Sequence, residues 1–142
     1  SKVYKLIKPI FFVTNSDIMI DCDYNDILSY HKKNKNFITI VASFRNYIIP
    51  YGDCKINKEG LLEKIKEKPK INLLASTGMY VINKEAIKYI PKNTKFDFNQ
   101  LIDKLILKKK KIGIFPISEE AWLDIGQWNE YKKAINKLNF IN

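Results

Sequence analysis

The sequence predicts an α/β domain in which helices cover both faces of a largely parallel sheet. Short β-branched or aromatic runs of strand length alternate with segments whose apolar residues recur at helical spacing. One stretch around Gly60 breaks this alternation and is typical of a β-hairpin. Such a pattern favours three layers, with the hairpin inserted on one side of the sheet.

Each element follows from its local pattern. Pro9 and Pro91 are expected to end helices, Asp23 and Asp97 to begin them, and Gly60 to permit the hairpin turn. The predicted elements are the end of a helix at 1–8, a strand at 10–17, a helix at 23–34, a strand at 37–43, a hairpin at 51–65, a strand at 78–82, helices at 84–89 and 98–107, a strand at 111–117 and a helix at 127–138.

Composition indicates a single domain over residues 1–142. Hydrophobic residues make up 46% of the chain and include 8 Phe, 8 Tyr and 2 Trp, enough to bury a core. The chain has neither a bilayer-length apolar run nor a signal-peptide core, so we expect a cytoplasmic protein without a membrane partner. Cys22 and Cys54 lie too far apart to indicate a disulfide framework, and His31 is the only histidine.

The formal charge of +10 raises the question of a nucleic-acid partner. Arg45 is the only arginine among the 25 cationic residues, however, so the forked guanidinium that reads bases and phosphates is nearly absent. The densest lysine run, 108–111, follows a helical segment and is interpreted as a solvated helix end. We therefore expect no nucleic-acid partner.

Two carboxylates stand where chemistry is expected. Asp17 ends the segment IFFVTNSD, and ligands of α/β proteins collect beyond the carboxyl ends of parallel strands. Asp124 lies in WLDIG before the last predicted helix, where Gly126 would allow a sharp turn beside a helix N-terminus. Two such carboxylates suit Mg²⁺, although either residue taken alone is more often a cap than a ligand.

A second candidate group follows the hairpin. Pro69 restricts Lys68 to an extended conformation, which would send Glu67 and Lys68 to opposite sides of a strand. A carboxylate can accept sugar hydroxyls while an ammonium neutralises a phosphate, although a charged edge that deters strand addition is an alternative interpretation. At Gly52 and Gly78 the missing Cβ would let backbone approach a ligand.

The motifs FFVTNSD, PYG, EKP, STGMYV, FD and WLDIG occur in an order that resembles the sugar-1-phosphate nucleotidyltransferases, over residues 9–134. The sequence is most similar to the branch that includes mannose-1-phosphate guanylyltransferases. The resemblance implies a Rossmann-like nucleotide-diphospho-sugar transferase fold. It also implies transfer of a nucleotidyl group from an NTP to a sugar-1-phosphate with release of pyrophosphate.

The same resemblance implies residue roles. Asp17 and Asp124 would hold the catalytic Mg²⁺, Glu67 would bind sugar hydroxyls, and Lys68 would act on the sugar phosphate. The backbone of Gly52 would lie beside the sugar ring.

Two departures from the family pattern add expectations. Ser76 stands where many relatives have Asn, and we expect it to line the sugar site with Gly78. Nothing in the sequence matches the family's Gly-rich phosphate loop, so the chain resembles the C-terminal part of a longer enzyme. We expect it to be inactive alone, and to form a homo-oligomer or associate with the missing half.

Two other functions stay open at this point. A glycosyltransferase of related fold would use Asp21-Cys22-Asp23 as its metal-binding D-x-D triplet, although helix capping also explains those residues. A non-catalytic domain that binds sugar phosphates or RNA through its lysines is the third possibility.

Overall fold

The computed structural model describes residues 6–126, and its elements follow the predicted order. The elements are β1 (Ile10–Thr14), β2 (Ile18–Ile20), α1 (Tyr24–Lys33), β3 (Ile38–Ile48), β4 (Asp53–Ile56), β5 (Leu62–Lys66), β6 (Lys70–Asn83), a 3₁₀ helix (Lys84–Tyr89), α2 (Phe98–Leu107), β7 (Ile112–Ile117) and β8 (Trp122–Asp124). The predicted helix at 127–138, and most of the one at 1–8, lie outside the described residues.

The main sheet has the strand order β1-β6-β3-β7. β3 and β7 are parallel, whereas β6 runs antiparallel to both β1 and β3. Three of the four strands therefore point the same way, which confirms the α/β prediction. β6 is reversed because no helix crosses over between β3 and β6; the hairpin β4–β5 returns the chain instead.

Helical elements pack on both faces of this sheet, as the three-layer prediction requires. On one face, Ile27 of α1 packs with Val41 and Val81 of the sheet. On the other face, Ile38 packs with Leu101 and its neighbours on α2 and the 3₁₀ helix. Alternate residues of β3 thus enter opposite cores, as the twofold periodicity of a strand dictates.

β3 and β6 are longer than predicted. Beyond the core they continue as a two-stranded ribbon in which Asn46 pairs with Asn72 and Tyr47 with Ile71. The side chains of Tyr47 and Ile71 are exposed. The sequence did not predict this extension because its residues lack the continuous apolar pattern of a buried strand.

The two α-helices begin where the sequence predicts. The Asp23 side chain accepts a hydrogen bond of 2.8 Å from the backbone N–H of Asn25 at the start of α1. At the start of α2, the Gln100 side chain accepts one of 2.8 Å from the backbone N–H of Asp97. Each interaction satisfies a backbone donor that the helix leaves unpaired, and each is worth about 1 kcal/mol. Within residues 6–126, no helix is both long and apolar enough to cross a bilayer.

His31 belongs to a buried polar network that ties α1 to the sheet. Its Nδ1 lies 2.8 Å from Thr39 Oγ1, and its Nε2 lies 3.5 Å from Asn83 Oδ1. Asn83 in turn donates from Nδ2 to the backbone oxygen of Asn36, at 2.9 Å. Burial lowers the pKa of His31, because the charged imidazolium loses its hydration. We therefore assign this histidine a structural role.

The lowered pKa of His31 predicts a loss of stability in mild acid. In the unfolded chain the imidazole binds a proton as the pH falls through about 6.5, while in the folded chain it stays neutral to lower pH. The unfolding free energy should therefore decrease as the pH is lowered below about 6.5, by up to about 1.4 kcal/mol per pH unit. Urea unfolding from pH 7.5 to 5 measures this, and the His31→Gln variant should show a flatter dependence. Equal slopes in both proteins would contradict the assignment.

Candidate active site

The short ribbon β2–β8 brings Asp17 and Asp124 together. β1 ends at Thr14, and Asp17 completes the turn that leads into β2. In the antiparallel register of β2 and β8, Ile18 lies opposite Asp124. The backbone N–H of Ile125 donates to the backbone oxygen of Asp17 at 2.9 Å, which extends the ribbon by one step. The two acids thus sit at the same end of one small sheet.

Gly126 shows how close the two carboxylates are. A Cβ built on Gly126 would lie 2.8 Å from Asp17 Oδ2 and 3.2 Å from Asp124 Oδ1. The same Asp124 oxygen accepts a hydrogen bond of 3.2 Å from the backbone N–H of Gly126. Both carboxylates therefore border the space that the glycine leaves open.

The two carboxylates have the chemistry of ligands for a hard divalent cation. The sum of the two distances, 2.8 and 3.2 Å, places the two oxygens at most about 6 Å apart. Asp17 is exposed and Asp124 is half-buried, so a ligand can reach both side chains. Mg²⁺ takes one or two carboxylate oxygens and completes its octahedron with water and phosphate. The donor set therefore suits Mg²⁺, with Gly126 providing room.

The structure adds a second role for Gly126. The chain turns at residues 125–126, as the sequence predicts, although the φ of Gly126 is not positive as it is at Gly60 and Gly78. Gly126 also matters because a side chain there would meet the two carboxylates.

A bulge in β6 supports the turn that carries Asp17. Val41 of β3 pairs with Met79, but the next residue pairs with Ser76, so Thr77 and Gly78 have no partner in β3. The Thr77 hydroxyl donates to the backbone oxygen of Val41 at 2.9 Å. Gly78 has a φ of 86°, a conformation that side chains disfavour.

Asn15 occupies the space that Gly78 leaves. Its backbone N–H donates to the Gly78 oxygen at 3.0 Å, and its Nδ2 lies 2.5 Å from where a Gly78 Cβ would stand. Gly78 therefore fixes the start of the turn that leads to Asp17. Its predicted contact with substrate stays a prediction. The Asn15 contact could not be predicted from the sequence, because nothing local to residue 78 points to residue 15.

The hairpin brings together Gly52 and Glu67, two residues that are each predicted at the sugar site. Asp53 lies opposite Lys66 in the β4–β5 ladder, so Gly52 and Glu67 are the next residues along. A Cβ on Gly52 would lie 3.2 Å from Glu67 Oε2, close enough that the Glu67 side chain would have to shift by a few tenths of an ångström. The hairpin is a sheet of its own, separate from the ribbon that carries Asp17.

A cationic cleft of about 240 Å³ lies on one face of the hairpin, whereas Gly52, Glu67 and Ile65 share the other face. Its lining consists of charged side chains of one hairpin face together with Pro69, namely Asp53, Lys55, Lys64, Lys66 and Pro69. Lys55 and Lys64 face each other across the ladder, and such like-charged neighbours repel unless an anion or solvent screens them. The cleft therefore favours anions.

The prediction that Lys68 has an extended backbone is wrong. Lys68 has a φ of 43°, in the left-handed region, and lies in a bend with Glu67 rather than in a strand. The preference of a residue before Pro69 for extended backbone is overridden because the chain must turn here from β5 into β6. Ser76, also predicted to bind sugar, is exposed, and its hydroxyl lies 3.4 Å from that of Tyr80.

The Asp21-Cys22-Asp23 triplet is explained by helix capping, since Asp23 is the N-cap of α1. Burial, followed by the charges of Asp21, Asp23 and Asp26, raises the pKa of the Cys22 thiol. The thiol therefore stays protonated and is a poor nucleophile or metal ligand.

Comparison with known proteins identifies one kind of relative, the nucleotidyltransferases. A family model described as nucleotidyl transferase matches residues 2–139. Mannose-1-phosphate guanyltransferase 2 of Candida glabrata is 27% identical, over 92% of this chain and 37% of that protein. The UTP–glucose-1-phosphate uridylyltransferase of Synechocystis sp. is 26% identical, over 88% of this chain and 34% of that protein.

Solved structures show the same fold. The crystal structure of HddC from Yersinia pseudotuberculosis superposes with a TM-score of 0.66 at 22% identity, and covers 96% of this chain and 59% of HddC. A glucose-1-phosphate thymidylyltransferase from Bacillus anthracis, described as putative, gives a TM-score of 0.61 at 16% identity, over 94% of this chain. The chain spans about a third of the length of the curated relatives it matches.

Proposed function

Because the chain belongs to the nucleotidyl transferase family, we propose that it provides the metal-binding and sugar-phosphate side of a sugar-1-phosphate nucleotidyltransferase. The observation that carries this proposal is the convergence of Asp17 and Asp124 on the open space at Gly126. Relatives named for mannose-1-phosphate and glucose-1-phosphate support the substrate class.

In the proposed reaction, an oxygen of the sugar-1-phosphate attacks the α-phosphorus of an NTP in line. The bond between the α-phosphorus and the bridging oxygen breaks, and pyrophosphate leaves. Mg²⁺ held by Asp17 and Asp124 would neutralise charge on the phosphates. The two aspartates bind and orient, since phosphoryl chemistry of this kind needs positioning and electrostatic stabilisation rather than a covalent intermediate.

The hairpin would hold the sugar phosphate. Glu67 can accept hydrogen bonds from two sugar hydroxyls, and Gly52, which has no side chain, leaves space beside the Glu67 carboxylate. A phosphate in the cationic cleft would meet the ammonium groups of Lys55, Lys64 and Lys66. Lys68 directly precedes Pro69, which borders this cleft. This arrangement supports recognition of a phosphorylated sugar.

Binding of sugar phosphate tests this half of the proposal. Calorimetry with mannose-1-phosphate or glucose-1-phosphate in the presence of Mg²⁺ should show weak binding that depends on Lys68. We expect Lys68→Ala to weaken it about 10-fold, because one charge-assisted contact to phosphate is lost. Lys70→Ala is the matched control, since Lys70 is an exposed lysine two positions away to which no role in sugar-phosphate binding is assigned. Equal binding by both variants would contradict the role of Lys68.

We further propose that the chain acts with additional polypeptide, either a nucleotide-binding half or a second copy. β1 is an edge strand of the described sheet, and edges of this kind pair readily with other chains. Several large apolar side chains of the hairpin and ribbon are also exposed, among them Tyr51, Ile56 and Ile65. The isolated chain should therefore self-associate and show little turnover; a monomer in light scattering at high concentration would argue against this.

A further inference from the structure

Arg45, the only arginine of the chain, contacts residues 119–122, the segment that leads into β8. It lies on β3, and its Nη1 is 3.3 Å from Glu119 Oε1. Its Nη2 donates to the backbone oxygen of Trp122 at 3.4 Å, and its Cζ lies 4.4 Å from the centre of the Trp122 ring. One side chain thus holds a carboxylate, a backbone oxygen and an aromatic ring at once.

Trp122 connects this contact to the candidate metal site. It is the first residue of β8, and Asp124 is the last. β8 pairs with β2 and is not part of the main sheet, so β2–β8 needs other contacts to hold it against that sheet. Ile18 and Trp122 pack against the core, and Arg45 adds directional bonds from β3.

A second bond from β3 holds the same segment. Ser43, two residues before Arg45 and on the same face of the strand, donates to the backbone oxygen of Ser118 at 3.1 Å. β3 therefore holds the β7–β8 connection near both of its ends, at Ser118 and at Trp122.

The simultaneous contacts of Arg45 with the ring and the backbone oxygen of Trp122 explain why position 45 is an arginine, although every other cationic side chain is a lysine. A guanidinium can stack flat on an indole ring and donate from its edge at the same time, which an ammonium cannot do. The Arg45 side chain is only 15% exposed, and cation–π attraction is stronger when the partners are desolvated.

We propose that Arg45 is a positioning residue for the metal site: by holding Trp122 against β3, it fixes β8 and hence the Asp124 carboxylate relative to Asp17. This inference rests on the proposed function, because it assigns Arg45 to the support of the same two carboxylates. Arg45 acts through Trp122.

The test is the dissociation constant for Mn²⁺, a paramagnetic substitute for Mg²⁺, measured by electron paramagnetic resonance on folded protein. We expect Arg45→Met to raise the Kd about 10-fold, as outer-shell changes do, and Arg45→Lys to raise it about 3-fold. Tyr47→Leu is the matched control, because Tyr47 is an exposed residue two positions along the same strand face; its Kd should equal that of the wild type.

The outcomes separate the two claims. A merely structural arginine would lower the melting temperature and leave the Mn²⁺ Kd of the folded protein unchanged. Wild-type Kd values in the folded Arg45 variants, together with weaker binding by Asp124→Asn, would overturn the positioning role and leave the metal site intact. If Arg45→Met does not fold, Arg45→Lys decides alone. Absence of Mn²⁺ binding by the wild-type chain would overturn both proposals.

Discussion

Replacing either Asp17 or Asp124 with Asn is expected to raise the Kd for Mn²⁺ by on the order of 100-fold. Each substitution removes the charge of one carboxylate and keeps its size, and both oxygens border the same open space at Gly126. Because the two side chains hold one ion in our account, the double variant should bind hardly more weakly than either single variant. Titration followed by electron paramagnetic resonance measures all three affinities.

Two further variants sharpen this test. Gly126→Ala keeps both carboxylates but puts a Cβ 2.8 Å from Asp17 Oδ2, so the flexible side chain must move and the Kd should rise about 10-fold with little loss of stability. Asp21→Asn is the matched control, since Asp21 belongs to the rival triplet next to the ribbon. Loss of Mn²⁺ binding in Asp21→Asn, with binding retained in Asp17→Asn, would favour the glycosyltransferase interpretation.

Gly78→Ala should cost about 3 kcal/mol of unfolding free energy. Two costs combine at this position. The φ of 86° is unfavourable for alanine, and the new Cβ would lie 2.5 Å from the Nδ2 of Asn15. Chemical denaturation monitored by tryptophan fluorescence gives the value.

Gly60→Ala is the control for the backbone cost alone. Gly60 has a φ of 83°, and no atom lies within 4 Å of its built Cβ. Its substitution should therefore cost only about 1 kcal/mol. If both variants lose the same stability, the contact between Gly78 and Asn15 does not contribute to the fold.

Much of the fold could be predicted from local sequence. The helix starts at Asp23 and Asp97 and the turn at Gly60 were predicted from capping and turn chemistry, because these preferences act within a few residues. The pairing of Asn46 with Asn72 could not be predicted, because exposed ribbon residues carry no apolar signature.

In the candidate site, too, local features could be predicted and contacts between distant residues could not. Asp17 and Asp124 were predicted as a pair from their positions at the ends of predicted elements and from the family resemblance. Their proximity in the structure depends on the β2–β8 register, which no local pattern encodes. The conformation of Lys68 was mispredicted because the need to turn between strands outweighs the preference of a residue before proline. Arg45 was noted only as the single arginine, since its contact with Trp122 joins residues far apart in sequence.

The most direct test of the central claim is the location of bound Mn²⁺ by nuclear magnetic resonance of the ¹⁵N-labelled chain. Paramagnetic ions broaden the signals of nearby amides. Our account predicts that substoichiometric Mn²⁺ removes the amide signals of Ile18, Ile125 and Gly126 first, because these residues surround the two carboxylates. Broadening centred on residues 21–26, or spread evenly over the surface, would contradict it.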